Sequence, residues 1–173
     1  MIHLGSFAGL KLSARKSVLI AYPGLAVGLG LIGGVWLALP VLQALALGAA
    51  CALIHLLGEF WHNLGHAAAA RAVGYPMIGI TFWGLLAASM YPKEEVALPA
   101  RVHIWRALGG PLGSCLLTLL ALAALYLANG VSPLLSTIAW FFFLDNLLVY
   151  SLGAFLPLGF TDGSTLLYWF KRL

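Results

Sequence analysis

Four long apolar stretches separated by short polar connections dominate the chain, at about residues 17–39, 41–70, 108–128 and 133–156. Each exceeds the roughly 20 residues that a helix needs to cross a hydrocarbon core of about 30 Å, so the pattern predicts four spanning helices. Between the second and third, after Gly74-Tyr75-Pro76, the helical pattern is lost. The segment Met77-Ile78-Gly79-Ile80-Thr81-Phe82-Trp83-Gly84 is rich in β-branched and aromatic residues instead, which predicts a short membrane-associated β-hairpin. The expected fold is an all-α membrane protein with about four transmembrane helices and that one hairpin, a single membrane-embedded domain over residues 1–173.

Composition removes the competing classes. Hydrophobic residues make up 62% and charged residues 8% of the 173 positions, too few charges to cover a water-soluble surface, and mean hydropathy is +1.01. Cys51 and Cys115 both sit inside apolar runs, where a thiol packs as a small hydrophobe, so no disulfide framework is implied. The net charge of +4 comes without the basic and aromatic interleaving of a nucleic-acid surface. Its explanation is topological: Lys and Arg fall before the first span, between the second and third, and after the fourth, while the connections at Pro40 and at Asn129 to Ser132 carry none. The positive-inside rule then puts both termini in the cytoplasm, with the cell membrane the expected location. No small-residue cleavage signature follows the first span, which reads as a retained helix and not as a signal peptide. Small residues four apart in it, Gly24 with Gly28 and Gly30 with Gly34, suit close packing within the chain.

Ionisable residues in lipid are costly and by default point to function. The second span holds His55, Glu59, His62, Asn63 and His66; the fourth holds Asp145 beside Asn146, with Asp162 just beyond. On a helical wheel centred at His62, His55, His66, Glu59 and Asn63 fall at roughly 20°, 40°, 60° and 100°, one side of one helix. Two His at i and i+4 can place imidazole nitrogens on one Zn²⁺ at about 2.0–2.1 Å. Such a site needs a third protein ligand, and the fourth span delivers Asp162 to the same cytoplasmic third of the membrane. His55 lies about 10 Å from His62 along the axis, too far to share an ion, and reads as a packing or water-path residue. The simplest roles elsewhere are bland: a solvated loop at Lys93-Glu94-Glu95, interfacial anchors at His103 and Arg106, and interface or packing aromatics at the six tryptophans.

Several of these stretches resemble one known family. His62-Asn63-Leu64-Gly65-His66 resembles the H-E-x-x-H helix of the site-2 proteases, intramembrane zinc metalloproteases, and the following Ala67 to Gly74 is similar to the family's small-residue continuation. Leu108-Gly109-Gly110-Pro111-Leu112 resembles its Ala-Gly-Pro motif, and Phe155 to Gly163 its Leu-Pro followed by Leu-Asp-Gly. These motifs occur in the family's order between Leu53 and Leu167. The resemblance implies that His62, His66 and Asp162 ligate Zn²⁺, and that a transmembrane protein or peptide substrate lies extended beside the hairpin, by strand addition, to be cleaved within the bilayer.

Two positions depart from the family pattern. Asn63 stands where the family has its general-base Glu, and a carboxamide cannot take up a proton from an attacking water. Gly153-Ala154 stands where an Asn commonly precedes Leu-Pro. Glu59, one turn before His62 on the same stripe, is the candidate catalytic base, or alternatively a hydrogen-bonding support. Asn63, Asp145 and Asn146 are candidate ligand-supporting or substrate-contacting residues; Asp145 could orient a ligand histidine or serve interhelical packing. Two further readings stay open: a zinc-binding protein that no longer cleaves and acts as a scaffold or regulator, and a small metal-ion or proton transporter. Substrate, cleavage site and oligomeric state lie outside what the sequence says.

Overall fold

The computed structural model describes residues 1–173, an integral membrane protein of four spanning helices with a small mixed sheet at one end. The order is β1 (Ile2–Phe7), β2 (Leu10–Ala14), α1 (Val18–Trp36), α2 (Val41–Ala72), β3 (Gly79–Trp83), β4 (Leu86–Met90), α3 (Ala100–Ala128), α4 (Pro133–Asp145) and α5 (Asp162–Phe170). The fourth crossing continues from α4 through a wide π turn, Asn146–Leu152, and a short 3₁₀ turn, Gly153–Phe155. The helices are apolar where they face outward, as lipid contact requires, and polar groups collect where α2, α3 and the π turn face one another. The third helix begins at Ala100, two turns before the expected position 108.

The hairpin expected after α2 is present as β3 and β4, and it is half of a larger sheet. Strand order is β1-β2-β3-β4, with β2 and β3 parallel (Lys11 opposite Gly79, Ala14 opposite Phe82) and the outer pairs antiparallel. The β1–β2 hairpin, absent from the sequence reading, closes through Ala8 and Gly9, both in the left-handed region at φ 49° and 83°. An Ala-Gly pair is a weaker turn signal than Asn-Gly. The sheet lies on the last turns of α2: Leu10, Ala14, Met77, Ile80 and Phe82 bury against Ala67 and Ala70. At 32 residues α2 is about 48 Å long, so it spans the hydrocarbon and still presents a turn or more to the sheet.

Close helix contact positions the site. Added Cβ atoms at Gly33 and Gly48 would run into Leu47 and the Ala26 carbonyl, which joins α1 to α2, whereas Gly24 and Gly28 face open space. At Gly65 a Cβ would strike Gly109 O, and at Gly109 it would strike Gly65 O at 2.5 Å. Backbone therefore lies on backbone where α2 crosses α3, the small-residue contact typical of membrane helices.

Candidate metal centre

His62 and His66, one turn apart on α2, turn their Nε2 atoms toward each other at 3.1 Å. Asp162 joins them from the first turn of α5, with Oδ2 3.1 Å from His62 Nε2 and Oδ1 3.3 Å from His66 Nε2. Four-coordinate tetrahedral ligands at about 2.0 Å from one ion stand ~3.3 Å apart, so the three donors have the spacing of a shared divalent cation. The opposite ring nitrogens are tied to α3. His66 Nδ1 donates to Arg106 O at 2.7 Å, and His62 Nδ1 lies 2.9 Å from Ser114 Oγ. With Nδ1 protonated and held, each Nε2 lone pair is aimed into the cluster.

The supports come from a matched spacing on α3. Arg106, Gly110 and Ser114 recur every four residues and so share one face, as His62 and His66 do on α2. Between the two anchors, a Cβ at Gly110 would fall inside the contact distance of both Nε2 atoms, so only glycine leaves the cradle open. Asp162 reaches the pair because α5 abuts the end of the fourth crossing at Gly163, where any Cβ would collide with the Phe155 carbonyl. Thr161 Oγ1 bonds the Leu156 carbonyl and accepts from Leu158 N, fixing the return loop.

Glu59 and Asn63 lie on the same side of α2, facing the sheet. Glu59 Oε1 accepts from Ala87 N of β4 at 2.7 Å and from Asn63 Nδ2 at 3.2 Å; Asn63 Oδ1 accepts from Ser89 Oγ at 2.9 Å. Both side chains line the same cleft of about 700 Å³ as His62, His66 and Asp162. Asp145 is elsewhere. The sequence reading left open a part in orienting a ligand histidine or in interhelical bonding, and its carboxylate bonds His55 Nδ1 of α2 at 3.0 and 3.2 Å. The ligand histidines already have Arg106 O and Ser114 as partners, and His55 is the imidazole at Asp145's depth. Tyr150, brought inward by the π turn, donates to His55 O at 2.8 Å. Asn146 donates to Phe142 O at 2.9 Å.

Arg106 is no interfacial anchor. Its side chain is buried, donates to both carboxylate oxygens of Glu95 at 2.9 and 2.5 Å and to Tyr75 O at 2.6 Å, and lies 4.1 Å from the centre of the Tyr91 ring. The loop at Glu95 is thus clamped beside the cleft, not free in solvent. The sequence reading took Arg106 only as an interfacial anchor and passed over Ser114, although their spacing of four on either side of Gly110 is a readable signal. His103 stacks on Trp169 at 4.0 Å between ring centres.

The Arg106 guanidinium holds the Glu95 carboxyl below its ordinary value near 4.5, against an opposing effect of burial. A carboxylate depressed in the folded state stabilises above the unfolded-state value and loses that contribution as pH falls through the folded one. The protein in detergent should therefore lose melting temperature below about pH 4.5 more steeply than Glu95→Gln. Parallel melting curves for the two proteins across that window would show that the clamp carries no charge dependence.

No protein-family model matches the chain, and a search of curated proteins found no match either. Among solved structures, the site-2 protease from Methanocaldococcus jannaschii superposes with a TM-score of 0.61 at 19% sequence identity, covering 96% of this chain and 69% of that one. Over nearly its whole length, the chain is similar in fold to a site-2 protease.

Proposed function

We propose that the protein is an intramembrane zinc metalloendopeptidase of site-2 protease type, with both ends on the cytoplasmic side of the cell membrane and transmembrane proteins or peptides as substrates. The observation that carries this reading is the convergence of His62, His66 and Asp162 at 3.1–3.3 Å, with the far nitrogens of both imidazoles anchored to α3. The chemistry of the donor set, two neutral imidazoles and a carboxylate, suits Zn²⁺, and the open cradle at Gly110 leaves space for it. Bound there, Zn²⁺ would polarise a scissile carbonyl and acidify a coordinated water.

The chain's own residues supply the rest. Arg106 O and Ser114 hold the imidazoles in the ligating orientation. An extended peptide, unwound from its helix, pairs beside β4, whose residues from Leu86 to Ser89 line the cleft next to the histidines. Glu59 is the remaining carboxylate on α2 and fills the role that Asn63 cannot. Its Oε1 takes the proton of the attacking water, and the same proton passes to the leaving amide nitrogen. Asn63 steadies Glu59 through its Nδ2.

A second reading, a zinc-binding protein that does not cleave, is favoured by one observation: in this structure the Glu59 oxygen Oε1 is engaged by Ala87 N and Asn63, not by the histidine cluster. One experiment separates the two. The purified full chain is expected to hold one zinc and to cut a transmembrane peptide reconstituted with it in proteoliposomes, with chelation abolishing both and added zinc restoring both. Cleavage that survives metal removal, or protein without stoichiometric zinc, would refute the proposal. Full zinc loading without cleavage establishes the second reading.

A further inference from the structure

Three residues of α2 spaced four apart meet three residues spaced two apart, Leu85 just ahead of β4 and Ala87 and Ser89 within it. His55 Nε2 lies 3.1 Å from Leu85 O, Glu59 Oε1 accepts from Ala87 N at 2.7 Å, and Asn63 Oδ1 accepts from Ser89 Oγ at 2.9 Å. The coincidence is geometric: four residues of helix rise about 6 Å and two residues of strand about 6.6 Å. A helix lying along a strand can therefore bond it at every second residue. Strand β4 is the edge of the sheet, with β3 on its other side. Ala87 stands opposite Phe82 in the β3–β4 register, yet its N–H is directed to Glu59. The contacts with Leu85 O and Ala87 N thus fall on the backbone edge that an added strand would use.

We propose that His55, Glu59 and Asn63 form a latch over the free edge of β4, and that an extended peptide opens it by taking Ala87 N–H onto one of its own carbonyls, which frees the Glu59 carboxylate. The proposal rests on the reading of Glu59 as base and of β4 as the peptide's docking edge. An uncovered strand edge inside a bilayer leaves backbone groups without partners, and the latch gives one to Ala87 N–H and one to Leu85 O in the resting protein. A carboxylate is a stronger acceptor than a peptide carbonyl. Displacement is therefore favoured only when the arriving segment also bonds further along the strand, which a peptide still coiled as a helix cannot do. The Asp145 carboxylate on His55 fixes one end of the latch, while the Glu59 and Asn63 contacts are side-chain bonds that can exchange partners. Base and substrate are coupled in this arrangement: the event that aligns the peptide is the event that releases the proton acceptor.

The test uses the full, zinc-loaded chain in detergent and a dansylated Val- and Gly-rich peptide as probe, reading peptide affinity and hydrogen exchange at Ala87. Glu59→Ala should bind the peptide roughly tenfold more tightly than the unaltered protein, the weight of one charge-assisted bond no longer competing, and should exchange the Ala87 amide faster. Ser89→Ala, which loosens the Asn63 end from the strand side, should gain a smaller factor of about three. Equal affinity in all three proteins, or no peptide bound by any, overturns the latch. Replacing His62 and His66 together with alanine should abolish zinc binding and leave exchange at Ala87 unchanged; accelerated exchange in that variant would show that the edge is held by the metal cluster and not by the latch. An absence of zinc from the unaltered protein would count against the peptidase reading alone, because the exchange measurement needs no metal.

Discussion

Replacing Gly110 with alanine is expected to abolish metal binding at the proposed zinc site while all three donor residues stay in the chain. The added methyl would occupy the space between His62 Nε2 and His66 Nε2. Retreat of α3 is the only relief on offer, and it would pull Arg106 O and Ser114 away from the imidazoles they orient. Movement the other way is blocked where Gly65 and Gly109 already touch through their backbones. Loss of an orienting partner alone weakens a metal site 10- to 100-fold. With both partners withdrawn and the cradle filled, zinc affinity should fall by at least roughly two orders of magnitude. Metal content after dialysis against a competing chelator measures it, and a Gly110→Ala protein that keeps its zinc as tightly as the original would remove the cradle from the account. Alanine is a better helix former than glycine, so failure of α3 to form cannot be the cause of a loss.

Glu59→Gln should remove cleavage by roughly 10²–10⁴-fold, the usual contribution of a positioned general base, while zinc content stays whole. Glutamine retains the oxygen that accepts from Ala87 N, so the edge of β4 should stay covered and amide exchange there should match the unaltered protein. That combination separates proton transfer from packing. A merely structural Glu59 would give the opposite outcome, an unchanged rate at full zinc loading. Rates per zinc-loaded molecule on a reconstituted transmembrane peptide decide between them.

How far the molecule could be read from its residues depended on whether the signal was local. The polar stripe of α2 stood out because five polar side chains recur at helical spacing on an apolar background, and the structure collects two of them with Asp162. The hairpin after α2 was visible in its β-branched and aromatic run. Its partner strands near the N-terminus were not, since Leu10–Ala14 is five residues long and pairs with Gly79–Trp83 across more than sixty intervening positions. Arg106 shows the other limit. A basic residue near the expected start of a span reads as an anchor, and its burial emerges only when Glu95, Tyr75 and Tyr91 arrive from three places along the chain. Ser114, a small hydroxyl in an apolar run, becomes a histidine support only once α3 is set against α2. Asp145 was noticed for its charge, but its partner depends on depth, and depth places it beside His55.

The parallel pairing of β2 with β3 has a consequence for how the chain can thread the bilayer. Those two strands bracket α1 and α2, and they can hydrogen-bond only if the segments ahead of α1 and behind α2 emerge on the same face of the membrane. The sheet thus acts as a clasp on the first helical hairpin: inverting one helix, or letting one of the pair slip out, would tear open the ladder from Lys11 to Ala14. Lys and Arg flank this hairpin only at its outer ends, with none at Pro40, which biases both ends toward one face, and the clasp locks them together there once the strands have met.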